Sequence, residues 1–573
     1  MLPPALLVAL IHAGPARAAT ITLTDCNEFD TAVYSAGHGD VIEVPPGLCG
    51  AVYFSPIVTV GTRITIRSTD GTPAGIPNLR ITATPSGGEG VVLQDLELTA
   101  NTNACTGYTA CILDLYPGVQ VDLIDVTLRP SSTTGILAAG TSSSPVLVRA
   151  DGFTASGSVP LISGTHAQVE LRRGSITGMQ AAYLEGGSIL LEEIVHNGTS
   201  DSVASGGLLK GVDLDAVEIR ELQSEGAKVT EDGGLIRLYR SPLILSDTTV
   251  RGCEAGGKGG LLFLEGDGSQ TADLERVEVD GCSSGTGAAL IAAQGYALRI
   301  DRLGARSLSG AGEGSLIGFG SGSLSWVRGE VCGFSANGEA GIAANASPVS
   351  LQNLLLREVE SLPELLTMSD GQRGLLAQST VDLEGAYASA LVSGGEIELF
   401  NNQLRLAGSG VGGANFIGRT GGNHFLSAGL PADWSAAGGD FADPDPGWRD
   451  GELSADCAVP GIPRLDSAHP AWDGGYTAED WRDPDCSDSD IGVFGGPTVD
   501  LELATWFGSD DCADGEAGGD GGGDGGGDGL DGGDLVYGGG LRACGCGGGL
   551  PAGLGLLWTL PWVLRRRAQK DVR

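Results

Sequence analysis

Short runs that alternate apolar and polar residues recur roughly every 20–30 residues along most of this chain. No amphipathic helix separates them, and Gly, Ser, Asn and Asp fill the intervals. Alternation with a period of two indicates strands with one apolar face, and strands stacked rung on rung at this spacing are typical of a parallel β-helix. The clearest runs are residues 91–98, 119–128, 168–173, 188–192, 212–219, 273–279, 350–356 and 396–400.

An antiparallel sandwich or propeller is the rival architecture. Those folds favour tight hairpins, which Asn-Gly or Asp-Gly pairs mark between adjacent strands. Here the Asp-Gly pairs at 70–71, 151–152 and 280–281 end strands without an immediate returning partner. We therefore expect an all-β chain in which residues 19–507 form one right-handed parallel β-helix.

Three segments in the middle of the chain, residues 249–262, 278–291 and 329–342, align as repeat units. Each contains a strand, then a Cys or Phe, then a polar corner and a Gly/Ala-rich strand start. Cys253 and Cys282 occupy the same place in adjacent units. Stacking should therefore bring their Cα atoms to the distance of about 4.4–6.8 Å that a disulfide allows.

These units resemble the Phe-x-x-Asn and Gly-Gly-Ala/Leu/Ile repeats of polymorphic outer-membrane proteins, and residues 334–337 fit the first pattern directly. Residues 35–47 resemble the N-terminal cap of secreted right-handed β-helix proteins. Residues 465–496 resemble the closing segment of many such proteins. The resemblance implies a β-helix with a cap and a closing segment, and it spans most of residues 20–497.

Both ends of the chain carry sorting features. Residues 1–18 form a predicted signal peptide, with a short apolar stretch before the cleavage pattern Ala-Arg-Ala at 16–18. At the other end, residues 541–573 contain Cys544 and Cys546, an apolar predicted transmembrane segment at 547–564 and three consecutive arginines. This end resembles the myxobacterial-type C-terminal sorting signals that an intramembrane protease reads.

That resemblance implies processing near Cys544 or Cys546 and a protein kept at the cell surface. It implies attachment to the outer membrane of a Gram-negative bacterium, with the sorting protease and the membrane as partners during export. Residues 508–540 are dominated by Gly and Asp and lack the apolar side chains that a core needs, so we expect a disordered acidic tether.

The cysteines fit an oxidising compartment and structural disulfides. Cys332 and Cys512 have no obvious partner in the sequence. The disulfide candidates are Cys26 with Cys49, Cys105 with Cys111, Cys253 with Cys282, and Cys457 with Cys486.

The formal net charge of -39 opposes binding to nucleic acid, which needs basic patches. The sequence contains no His-Glu-x-x-His pattern and no Gly-x-Ser-x-Gly elbow, so no catalytic residues are predicted. One acidic cluster could bind calcium through hard oxygen ligands, and a solvated turn is the alternative interpretation. No other cofactor is expected. The candidate calcium ligands are Asp483, Asp485, Asp488 and Asp490.

Two functions therefore compete. The first is a structural or adhesin-like protein displayed on the cell surface, with a long face that binds glycan or protein ligands. The second is an extracellular polysaccharide lyase or glycoside hydrolase on the same scaffold, because β-helices host both classes. The sequence favours the non-enzymatic function, since lysine is scarce and no grouping of a basic residue with carboxylates is visible.

Overall fold

A computed structural model of the chain forms a β-solenoid, in which 64% of the described residues are in strands and 3% are in helices. The prediction of an all-β parallel β-helix is confirmed. The structure describes residues 18–49, 57–60, 63–77, 79–83, 90–99, 111–130, 135–199, 203–312, 314–338, 340–360, 362–369, 371–383, 390–406, 415–427, 430, 434, 440–443 and 469–471.

A short 3-10 helix, Cys26–Glu28, and one α-helix, Phe29–Ser35, precede the main run of strands. The strands are Thr20–Thr22, Val41–Val44, Ile57–Val60, Ile64–Ser68, Ala74–Pro77, Leu79–Ala83, Val91–Gln94, Leu96–Thr99, Leu113–Leu115, Gln120–Ile124, Thr127–Arg129, Ile136–Ala139, Val146–Asp151, Thr154–Ser156, Ile162–Thr177, Ala182–Asn197, Leu209–Val212, Ala216–Arg220, Gln223–Val229, Ile236–Tyr239, Leu243–Ala255, Leu262–Ser284, Ile291–Ala311, Ile317–Gly320, Ser323–Asn337, Ile342–Asn345, Val349–Glu360, Glu364–Met368, Arg373–Ala377, Thr380–Leu383, Ala390–Ser393, Glu396–Phe400, Gln403–Leu406, Asn415–Gly421, His424–Phe425 and Phe441–Ala442.

Each rung contributes to three parallel sheets. In the rung at 162–177, residues 162–165 join the first sheet, 167–172 the second and 174–177 the third, and each segment pairs with its equivalent in the rung at 182–197. Pairing between the described strands is parallel throughout. The isolated bridge between Thr141 and Ser144 is antiparallel and lies outside the strands.

The second and third sheets meet at a corner where one residue per rung has a positive φ. Asp95 and Asp125 both have φ of 52°, a left-handed conformation in which Asp and Asn are enriched. The runs predicted as single strands at 91–98 and 119–128 are therefore two strands each, which meet at this corner. The alternating pattern predicted the strands correctly, but it gave no sign of the turn inside them.

The core consists of apolar side chains that stack rung on rung. One column runs through Val121, Val148, Val169 and Ile189, which are register partners in successive rungs and at most 2% exposed. Because the rungs are in register, every inward position repeats this burial, and the alternate positions face solvent. Those alternate positions form the candidate binding surfaces.

The segment predicted as the cap, 35–47, begins where the α-helix Phe29–Ser35 ends, and this helix is fastened to the first rungs. Cys26 and Cys49 form a disulfide with Cα atoms 5.2 Å apart, and Phe29 is buried on the α-helix. The Asp40 carboxylate accepts hydrogen bonds of 2.6 Å from the amides of Ala19 and Gly37. This explains the Gly-Asp pattern, because the aspartate fixes the turn that starts the strand.

The predicted disulfide between Cys253 and Cys282 is present, with Cα atoms 4.4 Å apart on neighbouring rungs. Cys111 and Cys332 each take part in a disulfide as well, so Cys332 is not a free thiol. The predicted partner of Cys111, Cys105, lies outside the described residues. Cys457, Cys486 and Cys512 also lie outside them.

Candidate functional site

The outward side of the first sheet carries two rows of side chains that continue across seven successive rungs. We call this surface the groove face. The first row is Tyr183, Lys210, Arg237, Phe263, Ala292, Gly318 and Ala343, and the second is Glu185, Val212, Tyr239, Glu265, Gln294, Gly320 and Asn345.

A recurring Gly-Gly-Leu-Leu/Ile pattern places the first-row residues. It precedes Lys210, Arg237 and Phe263 in three successive rungs. The first Gly of each pattern has a φ of 63–71°, which favours glycine. A Cβ on the second Gly would lie 2.0–2.4 Å from a carbonyl oxygen of the next rung, so only glycine fits there. The Leu-Leu or Leu-Ile pair is then buried, and the following side chain faces outward.

Two cations lie between two aromatic rings in the first row at the N-terminal half of the groove face. Lys210 Nζ lies 4.8 Å from the centroid of the Tyr183 ring, and Arg237 Cζ lies 5.3 Å from that of Phe263. Such contacts orient the rings and leave their other surfaces available. The Tyr183 hydroxyl donates a 3.0 Å hydrogen bond to Glu185, which positions that carboxylate in the second row.

Small residues open a cavity at the other half of the groove face. Ala292, Gly318 and Ala343 follow Phe263 in the first row, so three rungs carry almost no side chain beside its ring. The resulting space, the Phe263 cavity, has a volume of about 550 Å³. The polar side chains that line it include Lys258, Glu265, Gln294 and Asn345. It therefore offers an apolar wall and floor with polar groups at the rim.

Lys258 reaches this cavity because the next rung carries Gly287 beneath its stem. A Cβ on Gly287 would lie 2.9 Å from Lys258 Cγ, closer than real contacts allow. Lys258 precedes Phe263 along the chain, while the amides and carboxylate of the second row follow it. Lys258 and the second-row residues thus line the cavity on opposite sides of Phe263 along the chain.

A second cavity of about 430 Å³ lies at the corner between the first and second sheets, and we call it the His166 cavity. His166, Gly186 and Asp213 occupy the same left-handed corner position in successive rungs. A Cβ on Gly186 would lie 2.6 Å from His166 Nδ1, so the imidazole rests on bare backbone. Glu185 and Asp215 line the same space.

Arg240 fixes the carboxylate of Asp213 in this second cavity. Its Nε and Nη2 donate two hydrogen bonds of 2.6 Å to the two oxygens of Asp213. These bonds lower the pKa of Asp213 below its ordinary value, so that the group stays ionised in neutral solution. The His166 cavity thus holds one carboxylate that is ionised in neutral solution, two further carboxyl groups and an imidazole.

Charged residues also gather on the outward side of the third sheet, around a cavity of about 300 Å³ beside Gly304. Arg357 donates bonds of 3.0 and 2.5 Å to Oε1 of Glu330, and both side chains are about 95% buried. Arg306 lies 3.9 Å from the other oxygen of Glu330. Two arginines flank this carboxylate, as is typical of a structural ion pair.

The candidate calcium ligands Asp483, Asp485, Asp488 and Asp490, and the processing residues Cys544 and Cys546, are all outside the described residues. Within the described part, no group of three or more His, Cys, Asp or Glu side chains is arranged to hold a metal ion. No helix among the described residues is long and apolar enough to span a membrane.

Comparison with known proteins gives this chain no assigned relative. No family model matches it, and no curated protein matches it either. The groove face and its two cavities are therefore the basis for a functional argument.

Proposed function

We propose that this protein is displayed on the cell surface and binds glycan chains along the groove face. The observation that supports it is a continuous outward surface on which aromatic rings, cations and small residues are in register. Sugar rings present apolar faces that stack on aromatic side chains, and hydroxyls that bond to carboxylates and amides. Ligand sites commonly combine apolar walls with a few placed polar groups.

Surface display is the second part of the proposal. It rests on the signal peptide predicted at 1–18, the acidic tether predicted at 508–540 and the sorting pattern predicted at 541–573. The repeats that resemble polymorphic outer-membrane proteins agree with this location. The intact mass of the protein recovered from cells tests it, because processing near Cys544 or Cys546 would remove the terminal arginine cluster.

Aromatic truncation tests glycan binding directly. Phe263→Ala and Tyr239→Ala should each weaken binding to a glycan array at least fivefold, because each removes a stacking surface. Tyr34→Ala is the matched control, since Tyr34 is an aromatic side chain that is 93% exposed and lies on the α-helix Phe29–Ser35, away from the groove face. Equal binding by all three variants and the unmodified protein, or no glycan binding at all, would contradict the proposal.

The His166 cavity favours a second candidate function, hydrolysis of the bound glycan. In carboxylate-assisted hydrolysis, one carboxyl group protonates the glycosidic oxygen while a carboxylate takes a proton from the attacking water, whose oxygen bonds to the anomeric carbon. Asp213, kept ionised by Arg240, is the candidate carboxylate for the second role, and Glu185 lies in the same cavity. Glu265 is three rungs from Glu185, about 14 Å, which is too far for such a pair.

A reducing-end assay decides between binding and hydrolysis. If the protein is a hydrolase, Asp213→Asn should abolish the release of new sugar ends. Asp247→Asn is the control, because Asp247 makes an equivalent two-bond pair with Arg276 at another corner, 2.5 and 2.8 Å. Absence of any release over a broad panel of polysaccharides, with binding retained, leaves glycan binding as the function.

A further inference from the structure

The Phe263 cavity has one feature that the rest of the groove face lacks, a lysine that makes neither an ion pair nor a ring contact among the described residues. Lys210 contacts a ring, and Arg237 lies 3.1 Å from Glu231 and 3.9 Å from Asp232. Lys258 lines the cavity but takes part in none of the described ion pairs. In a chain with a net charge of -39, a lysine side chain without an ion pair at a cavity rim is available to an anionic ligand.

We infer that the Phe263 cavity takes a sugar residue bearing a carboxylate, with that carboxylate on Lys258 Nζ. The inference rests on the proposed function and specifies the ligand of that same surface. The sugar ring would lie on Phe263 and on the floor of small residues. Its hydroxyls would donate to Glu265 and accept from the Gln294 amide on the opposite edge.

The arrangement of the rim supports one orientation of such a ligand. The cation is at the edge before the first row, and the Glu265 carboxylate is at the edge beyond it. A carboxylated sugar placed with its acid towards Lys258 therefore keeps that acid away from Glu265. A neutral sugar would leave the lysine unmatched, and the overall negative charge gives an acidic ligand no other attraction.

Gly287 provides a way to move the lysine without removing its charge. Because a Cβ at this position would lie 2.9 Å from Lys258 Cγ, Gly287→Ala must displace the lysine stem. The φ of Gly287 is not in the left-handed region, so alanine is compatible with the backbone. Lys258→Gln removes the charge and keeps most of the stem. The two variants therefore perturb the same contact in different ways.

The test compares two ligands that differ only at C6, cellotetraose and the matching tetramer of β-1,4-linked glucuronate, with methyl glucoside, methyl glucuronide and methyl galacturonide as shorter probes. Ligand-observed NMR titration gives each dissociation constant. The unmodified protein should prefer the acidic member about three- to fivefold, as expected for a partly exposed ion pair. Lys258→Gln and Gly287→Ala should remove that preference by weakening the binding of the acidic member.

Lys228→Gln is the matched control. Lys228 lies 3.0 Å from Glu254, away from the cavity, so its loss should keep the preference. Equal binding of both members by the unmodified protein, or a preference that survives Lys258→Gln, would overturn the inference and leave glycan binding intact. If no member binds, the proposed function fails together with it. A melting temperature close to that of the unmodified protein confirms that each variant is folded.

Discussion

His196 is an imidazole enclosed in the solenoid, and it makes stability depend on pH. It is fully buried, with Nδ1 2.8 Å from Ser224 Oγ and Nε2 3.2 Å from the Met179 carbonyl oxygen. Burial lowers the pKa of His196 to about 4, and the bond to Met179 opposes this only partly. The unfolded chain binds the proton near pH 6.5, so folding requires a neutral ring.

The first prediction concerns this residue. The pKa of His196 is lower in the folded protein than in the unfolded chain. The contribution of His196 to the free energy of unfolding is therefore fully present above about pH 6.5 and is lost as the pH falls towards 4, a change of about 3 kcal/mol. Replacing His196 by Asn should flatten the pH dependence of the free energy of unfolding over that window by a similar amount. Denaturant unfolding at several pH values measures it. Parallel curves for the two proteins would contradict it.

A second prediction at this scale concerns Tyr296, which joins rungs that are not adjacent. Its hydroxyl donates to the Ser241 carbonyl oxygen at 2.8 Å and accepts from the Ser241 amide at 3.2 Å, and burial raises its pKa to about 12. Tyr296→Phe leaves both backbone groups buried without these partners, so the free energy of unfolding should fall by about 1–3 kcal/mol. Tyr183→Phe, at a surface hydroxyl, should change it by less than about 0.5 kcal/mol.

At the scale of elements, side-chain amides tie successive rungs together at the corner between the second and third sheets. Asn402 Oδ1 accepts from the Ser379 amide at 3.0 Å, and Asn423 Oδ1 accepts from the Asn402 amide at 3.2 Å. Asp440 continues the column with a 2.8 Å bond from Asn423. Each bond satisfies a backbone donor at a bend where the strands no longer pair.

This column gives the third prediction. Asn402→Ala leaves the Ser379 amide and the Leu376 carbonyl oxygen without their side-chain partner, so it should destabilise the fold by about 2–4 kcal/mol. Asn197→Ala, at an exposed position in a strand, is the control and should cost less than about 0.5 kcal/mol. Thermal unfolding followed by circular dichroism measures both, and equal losses would mean that the column is not a distinct stabilising element.

The strands were predictable because burial on one face imposes alternation, and the Cys253–Cys282 pair was predictable because its two units have equal length. The corners could not be predicted from the sequence. Arg276 and Arg328 have φ of 52° and 59°, a conformation that long side chains seldom adopt, so composition gave no signal there. The groove face was missed for a related reason. Tyr183, Arg237 and Phe263 are far apart in sequence, and only the Gly-Gly-Leu-Leu/Ile pattern reveals that two of them are equivalent.

At the scale of the whole molecule, charge is the dominant global property. The net charge is -39, while the ion pairs between rungs are mostly exposed, as in Arg240 with Asp213. Exposed pairs contribute little each, whereas self-repulsion acts over the entire solenoid. Screening by salt weakens both the self-repulsion and the ion pairs. The folded state should therefore gain more stability from the weaker repulsion than it loses from the weaker ion pairs.

The fourth prediction follows from that balance. Raising the sodium chloride concentration from about 0.02 M to about 0.5 M shortens the Debye length several-fold, so the melting temperature should rise by a few degrees. Calorimetry at constant pH measures it. A falling melting temperature would instead mean that the arginine–carboxylate pairs outweigh the general repulsion.

Because the rise per rung is constant, any two positions in one row of the groove face are separated by a whole number of strand spacings. Glu185 and Glu265 mark its two cavities and are three rungs apart, about 14 Å. A short oligosaccharide can reach one cavity only, whereas one long enough to reach both gains its second contact at a high effective concentration. Affinity should therefore rise in a step at a threshold length. Duplication of a single rung between the cavities would move that threshold by one strand spacing, without altering either cavity.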